Sequence, residues 1–391
     1  MSVQFSPYDF GIHDDPYPVY AQLREQAPVF RNADDDFWAL SRYADVLAAL
    51  RDSDRFSSAN GLRMEPAFWG PQAEQFFSFV AMDPPKHTRL RGLVTRAFTA
   101  RRVQALAPRL REIATDLLQP LLERGSFDLM TDFAGPYPTE VISELVGVPR
   151  ADRDLVRKLG MEIMYTEEES TDLRPEAMQA IGALVGYYTE LTIERSKHRT
   201  DDLLSGLLDA ADGDDRLTPE EIVGVLILLV GAGIETSMLT LGNLWYAGWA
   251  HPDQRAAALS RVDDWIAEGM RYDPATQSQL RTTTEAVDLH GVTIPAGARM
   301  LLLTGSANRD PEVFDRPDVF DLDRDTSDAL VFGSGRHHCL GSNLGLLELR
   351  TALGEITARI TDYDIDPDGL RRIHSSNNRG FAALPTTVTP R

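Results

Sequence analysis

Residues 218–250 leave this chain few ways to fold. Ile222 to Ala250 carries one charge, Glu235, over a length that would span a bilayer. The run nevertheless opens like a helix in water: Thr218-Pro219-Glu220-Glu221 provides an N-cap hydroxyl, a proline at the first helical position and a capping-box acid. A carboxylate in mid-span would cost roughly 2.5–3.5 kcal/mol in lipid. A helix that is apolar all round and stays out of the membrane belongs in the core of a large protein. At 1.5 Å per residue it predicts a rod of about 50 Å, enough to cross the whole fold.

Within that helix, Val230-Gly231-Ala232-Gly233-Ile234-Glu235-Thr236-Ser237 joins poor helix formers to an acid and two hydroxyls. Each glycine costs about 1 kcal/mol relative to alanine, so some gain must offset it. Close helix packing is one such gain; room for a flat ligand against a locally loosened helix is the other. A second unusual stretch, Val331-Phe332-Gly333-Ser334-Gly335-Arg336-His337-His338-Cys339-Leu340-Gly341, holds the only cysteine in 391 residues. Leucines and isoleucines at mostly three- and four-residue steps follow it and predict a helix. Cys339 therefore stands where loop becomes helix, and a helix N-terminus favours a thiolate. A metal ligand, a nucleophile and an inert buried thiol all fit this position. Tetrahedral zinc is disfavoured, because His337, His338 and Cys339 are too crowded to wrap one ion and no second cluster exists. The C-x-x-C-H motif of covalent haem attachment is absent.

Helical patterns fill residues 101–260, strand patterns gather at 279–303 and 370–389, and short strand-like pieces lie at 29–40. Helices with segregated small sheets make a mainly α, α+β protein. With no repeat, linker or low-complexity tract, residues 1–391 read as one domain. Residues 59–82 are expected to be irregular, broken by Gly61, Pro66, Gly70 and Pro71, yet they hold Phe68, Trp69, Phe76, Phe77 and Phe79. A net charge of −21 opposes binding to nucleic acid or an anionic membrane. The first residues, M-S-V-Q-F-S-P-Y-D-F, have neither the basic nor the apolar part of a signal peptide, and a single cysteine suits the cytoplasm, where the protein is expected. Against the acidic background, residues 86–111 carry cations throughout and no acid.

Phe332-Gly333-x-Gly335-x-His337-x-Cys339-x-Gly341 resembles the cysteine-ligand loop of the cytochrome P-450 monooxygenases at every defined position. Ala-Gly-Ile-Glu-Thr at 232–236 resembles the acid–alcohol motif of that family's oxygen-activating helix, and the two motifs occur in the family's order. The resemblance runs from Asp83 to Pro385. It implies a P-450 fold, with a long central helix and small β-sheets around a buried haem b. It implies Cys339 as axial ligand of the haem iron, with Phe332, Gly333, Gly341, Ala232 and Gly233 beside the cofactor. His87, Arg91, Arg281 and His337 would hold the propionates, which need cationic or hydrogen-bonding partners. Glu235 and Thr236 would deliver protons. Glu268-x-x-Arg271, by itself no more than an ordinary pair of about 0.2–0.5 kcal/mol, would join Arg324 in a structural trio. Phe77, Val230, Ile234, Gln279 and Phe381 would face the substrate.

The implied activity is insertion of one oxygen atom of dioxygen into a mainly apolar small molecule, by hydroxylation or epoxidation of a natural-product, lipid or steroid-like skeleton. Electrons would come from a nicotinamide cofactor through a ferredoxin and ferredoxin reductase, since no flavin or iron–sulfur domain is visible. An acidic ferredoxin would dock over the basic run at Arg101 and Arg102. Two alternatives stand: a peroxide-using haem peroxygenase, which the acid–alcohol pair argues against, and a non-catalytic haem gas sensor or carrier, which would show no substrate-dependent use of reductant. The protein is expected to be a monomer without a membrane anchor.

Overall fold

The computed structural model describes residues 3–164 and 174–391. The central helix runs from Pro219 to Ala250. The Thr218 hydroxyl oxygen accepts from the Glu221 N–H at 3.2 Å and the Glu221 carboxylate from the Thr218 N–H at 2.9 Å, so both halves of the capping box are made. Helices Pro136–Val146, Arg153–Met164, Pro175–Lys197, Val262–Tyr272 and Ser342–Thr357 pack around it. Its length and composition would suit a membrane span, but Leu226, Leu239, Leu244 and Trp245 are wholly buried in the core. Trp245 stacks on Tyr363 with ring centroids 3.7 Å apart, which ties the end of the helix to a C-terminal strand.

The loosening expected at the glycines is not present: the helix is continuous through Gly231 and Gly233. The two glycines serve different ends. A Cβ on Gly233 would lie 2.7 Å from Ile142, so this position lets the helix Pro136–Val146 pack closely, whereas a Cβ on Gly231 would meet nothing within 4 Å.

One sheet has the strand order Val29–Asn32, Phe37–Leu40, Arg299–Leu302, Gln279–Thr283, Phe56–Ser57. Phe37–Leu40 and Arg299–Leu302 are parallel and the other neighbours antiparallel. A second sheet joins Ile360–Ile365, Pro385–Pro390 and Ser126–Asp128. Residues 59–82, expected to be irregular, contain the short helical turns Pro66–Phe68, Ala73–Phe77 and Ser78–Ala81.

A buried charge cluster holds the route to the cysteine loop. Arg271 makes two hydrogen bonds of 2.7 Å to the Glu268 carboxylate, and neither side chain is more than 1% exposed. Arg324 Nε and the Asp321 N–H also donate to Glu268, at 3.2 and 3.0 Å. Arg271 reaches on to the Asn308 carbonyl at 2.9 Å, and the Asn308 side chain accepts from the Leu330 N–H at 2.7 Å, directly ahead of the loop. The three residues singled out in the sequence thus meet at one point, with their charges paired inside the protein.

Candidate functional site

The loop bearing Cys339 is braced on several sides. The Cys339 N–H donates to the Phe332 carbonyl at 2.9 Å and closes the turn. Gly333 and Gly335 have φ of +68° and +71°, the left-handed region that side chains disfavour. A Cβ on Gly335 would also sit 2.7 Å from the Leu50 carbonyl oxygen. Arg51 donates to the Ser334 hydroxyl at 3.1 Å, and Arg91 donates to the His338 carbonyl. The helix Ser342–Thr357 begins just beyond. Burial pushes the Cys339 thiol up, opposed by the N–H groups of Gly341 and Ser342 and by the charge of Arg91. Cys339 is nonetheless accessible from outside the loop.

The two stretches singled out in the sequence are joined here. The Ser237 hydroxyl, next to Thr236, donates at 2.6 Å to Glu348 on the helix that follows Cys339. On the central helix, Gly231 and Ala232 are exposed and Glu235 and Thr236 half-buried, amid neighbours that are mostly buried. At 100° per residue these four share one face. The Thr236 hydroxyl donates to the Ala232 carbonyl at 2.6 Å.

Beside the cysteine loop is a cluster of cations and donors. The rings of His87 and His337 lie 4.3 Å apart, and all four ring nitrogens are buried without a hydrogen-bond partner among the described residues. Arg281, 2% exposed, donates to the Leu280 carbonyl and to Gln279 but has no carboxylate partner among the described residues. Burial lowers its pKa to about 10, with Asp83 acting in the other direction. Burial, Arg281 and the neighbouring histidine and arginines hold His337 at about 3; burial and Arg91 also lower His87. Buried donors and cations left without an acceptor or anion are costly. A cofactor with two carboxylates and an iron suited to a thiolate fits this set, so the residues fit a haem.

The structure places Gln279 against the cysteine loop, where a Cβ on Gly333 would come within 3.1 Å of its amide nitrogen. A Cβ on Gly341 would lie 3.9 Å from the Cys339 sulfur, and the Phe332 ring is 6.3 Å from that of His338. Phe77, half-buried, packs beside Phe68 at 5.4 Å. Val230, Ile234 and Phe381 lie deeper in the core. Val230 and Ile234 are 2% and 1% exposed and face Gly160, 3.5 and 3.6 Å from where its Cβ would be. Helical periodicity puts both about 160° from Ala232, with Gly231 and Glu235 between. Phe381 is wholly buried between Tyr246, at 4.9 Å, and the Arg372 guanidinium, at 4.0 Å. Tyr246 itself is about 15 Å along the helix axis from Thr236.

The basic run is also mostly paired. Arg89 meets Asp215 and Glu221 at 2.8 and 2.6 Å, Arg96 meets Asp212 at 3.0 Å, Arg109 meets Glu144 and Arg111 meets Glu355, both at 3.1 Å. Arg102 donates to the Ala97 carbonyl at 2.9 Å and stands 3.8 Å from Asp201. Arg101 and Arg336 remain exposed without a carboxylate partner among the described residues.

Sequence reading missed three charged groups in or near the site. Glu348 is fully buried, and burial raises its pKa to about 8 despite the Ser237 hydrogen bond. An acid one turn after Leu344, on the face of a helix that should be apolar, was its signal. Arg63 and Glu65 lie in the segment before Pro66, where no periodic pattern marks them.

The family profile described as cytochrome P-450 matches residues 254–387. The chain is 43% identical to cytochrome P-450 123 of Mycobacterium tuberculosis over 98% of its length and 97% of that protein's. It is 40% identical to a vitamin D(3) 25-hydroxylase of Pseudonocardia autotrophica, over 96% of this chain and 94% of the other. A solved cytochrome P-450 structure from Chondromyces apiculatus superposes with a TM-score of 0.91 at 31% identity, covering 100% of both chains. Identity of this order across nearly the full length, together with a lone thiol, a cation cluster beside it and an acid–alcohol pair on the central helix, means that the chain belongs to the cytochrome P-450 family and is a haem b monooxygenase.

Proposed function

We propose that residues 1–391 act as one domain that hydroxylates or epoxidises a mainly apolar natural-product or steroid-like molecule, with Cys339 as the iron ligand. The observation that carries the reading is the buried group of His87, His337 and Arg281, left without an anion beside the only cysteine. When bound, haem supplies oxygen activation, which thiolate ligation favours by pushing electron density toward O–O cleavage. Cys339 is held for this by its loop and by the N–H groups of Gly341 and Ser342. His87, Arg91, Arg281 and His337 hold the propionates, and Phe332, Gly333, Gly341, Ala232 and Gly233 border the cofactor. Phe77, Gln279, Val230, Ile234 and Phe381 are the proposed substrate contacts. The Pseudonocardia relative's name supports a steroid-like skeleton.

In this reading, Glu235 and Thr236 move protons. The Thr236 hydrogen is committed to the Ala232 carbonyl, which leaves the hydroxyl oxygen as an acceptor on the open face of the helix. Replacing Thr236 with alanine is expected to leave haem loading intact while the share of reductant ending as hydrogen peroxide rises several-fold. Reductant use and peroxide, measured side by side with an authentic substrate, check this; unchanged coupling would assign proton delivery to another group. Continued substrate-dependent use of reductant also separates this enzyme from a gas carrier, and little turnover with peroxide alone separates it from a peroxygenase.

The electron donor in this proposal is an acidic ferredoxin, supplied by a nicotinamide-dependent reductase and acting on a monomeric, cytoplasmic enzyme. Pairing within the basic run moves the expected docking point from Arg102 to Arg336, on the rim of the cysteine loop, with Arg101 as a second contact. Charge reversal in Arg336→Glu should slow ferredoxin-to-haem transfer about ten-fold at low salt and flatten its salt dependence. Stopped-flow reduction across a salt series measures both effects, and a rate equal to wild type at low salt would place the docking face elsewhere.

A further inference from the structure

We propose that the substrate carries a hydroxyl group, and that Arg63 and Glu65 anchor it from the loop facing the central helix. This deepens the monooxygenase reading of the same site and rests on it. Arg63 Nη2 donates to Glu65 Oε1 at 3.2 Å, and the Ser376 hydroxyl donates to the same oxygen at 2.8 Å. The Arg63 guanidinium stands 5.2 Å from the centre of the Phe68 ring, which fixes its outer side. Two polar atoms are then left over. Arg63 Nε and Glu65 Oε2 are buried and have no hydrogen-bond partner among the described residues. Glu65 is 9% exposed, so its free oxygen does not look out into bulk solvent.

The position is set by packing: the Phe68 ring that Arg63 covers lies 5.4 Å from that of Phe77, and the helical turn Ala73–Phe77 packs against the central helix. Burial works against the Arg63 charge, and Glu65 first and Glu235 second more than offset it. A donor and an acceptor held by one ion pair select the chemistry of what they bind. A hydroxyl accepts from Arg63 Nε–H and donates to Glu65 Oε2 at once. A carboxylate would satisfy the arginine but meet two like charges, on Glu65 and Glu235; an ammonium would satisfy the glutamate but meet the arginine. A hydrocarbon leaves both buried atoms unmet, a penalty that corresponds to about ten-fold or more in affinity. The pocket is thus apolar in bulk with one polar fixed point, and that point determines which carbon of the skeleton is presented for oxidation.

The test is calorimetric titration of the haem-loaded enzyme with two matched sets of probes. One set is dodecane, dodecanol, dodecanoate and dodecylamine; the other is androstane and its alcohol, carboxylate and amine at one ring position. Wild type should bind the alcohol of at least one set about ten-fold or more tightly than the other three members. Glu65→Gln and Arg63→Met should each reduce that preference to near unity, while Arg63→Lys, which keeps the charge and loses the Nε donor, should retain part of it. The carbon monoxide spectrum of each variant reports cofactor loading and folding. Should Arg63→Met fail to load, Glu65→Gln and Arg63→Lys decide the matter. A preference for the carboxylate lost only in the arginine variants, a preference for the amine, an alcohol preference unchanged in Glu65→Gln, or no binding of either alcohol overturns the proposal. Heat of binding is read whether or not the iron responds, so a failed thiolate spectrum with an intact alcohol preference would count against the haem assignment alone.

Discussion

Replacing Cys339 with serine will remove the strongly red-shifted Soret band that the reduced wild-type protein shows under carbon monoxide, and monooxygenase turnover will fall to background. The reasoning is local. The bonds that shape the loop are made by the backbone of residue 339 and by its neighbours: the N–H to the Phe332 carbonyl, Arg51 to Ser334, Arg91 to the His338 carbonyl. None uses the sulfur, so exchanging sulfur for oxygen leaves the loop, Gly333 and Gly335 in place. The change acts on ligation, because a hydroxyl ionises far less readily than a thiol and is a poor soft ligand. The propionate partners are untouched, so haem uptake should be reduced and not abolished. A variant that keeps the red-shifted band would show that the iron ligand is another residue. A wild type whose band is that of histidine-ligated haem would do the same, and His337 and His338 would be the first to examine.

What the sequence disclosed follows from the kind of signal each feature leaves. The central helix was legible because its cap is local: four consecutive residues determine both hydrogen bonds of the capping box. The cysteine loop was legible because glycine at positive φ leaves a fixed spacing in the chain. The facing of the central helix was not legible at Val230 and Ile234. A run apolar on every side has no polar stripe to orient it, and only the positions of Gly160 and Ile142 show which side is core. The pairing of the basic run was hidden for a related reason. The carboxylates that neutralise Arg89, Arg96 and Arg111 are Asp215, Asp212 and Glu355, more than a hundred residues away in the chain, and only the tertiary fold brings them near. Arg63 and Glu65 lie in an aperiodic segment, so nothing before the fold distinguished an inward ion pair from a surface one.

The Glu268 cluster carries the second large effect, on folding and not on chemistry. Glu268→Ala leaves Arg271, 0% exposed, and Arg324, 8% exposed, without their shared carboxylate, and strands the Asp321 N–H as well. Removing one partner of a buried pair costs about 3–5 kcal/mol, because the remaining charge stays in a low-dielectric site without compensation. That is a large part of the roughly 5–15 kcal/mol by which a folded protein exceeds its unfolded state. The loss also has a direction. Arg271 holds the Asn308 carbonyl, and Asn308 holds the Leu330 N–H at the entrance to the cysteine loop, so the first region to loosen should be the one that presents Cys339. Glu268→Ala should therefore lower the melting temperature by several degrees and the recovered thiolate-type carbon monoxide spectrum by at least half. Glu268→Gln, which keeps the volume and one acceptor oxygen, should fall between. The measurement is a thermal melt of each variant beside its haem-to-protein ratio. A Glu268→Ala protein that melts with wild type and is fully loaded would mean that Asn308 and the backbone carbonyls alone keep Arg271 in place, and that the carboxylate adds nothing to the support of the loop.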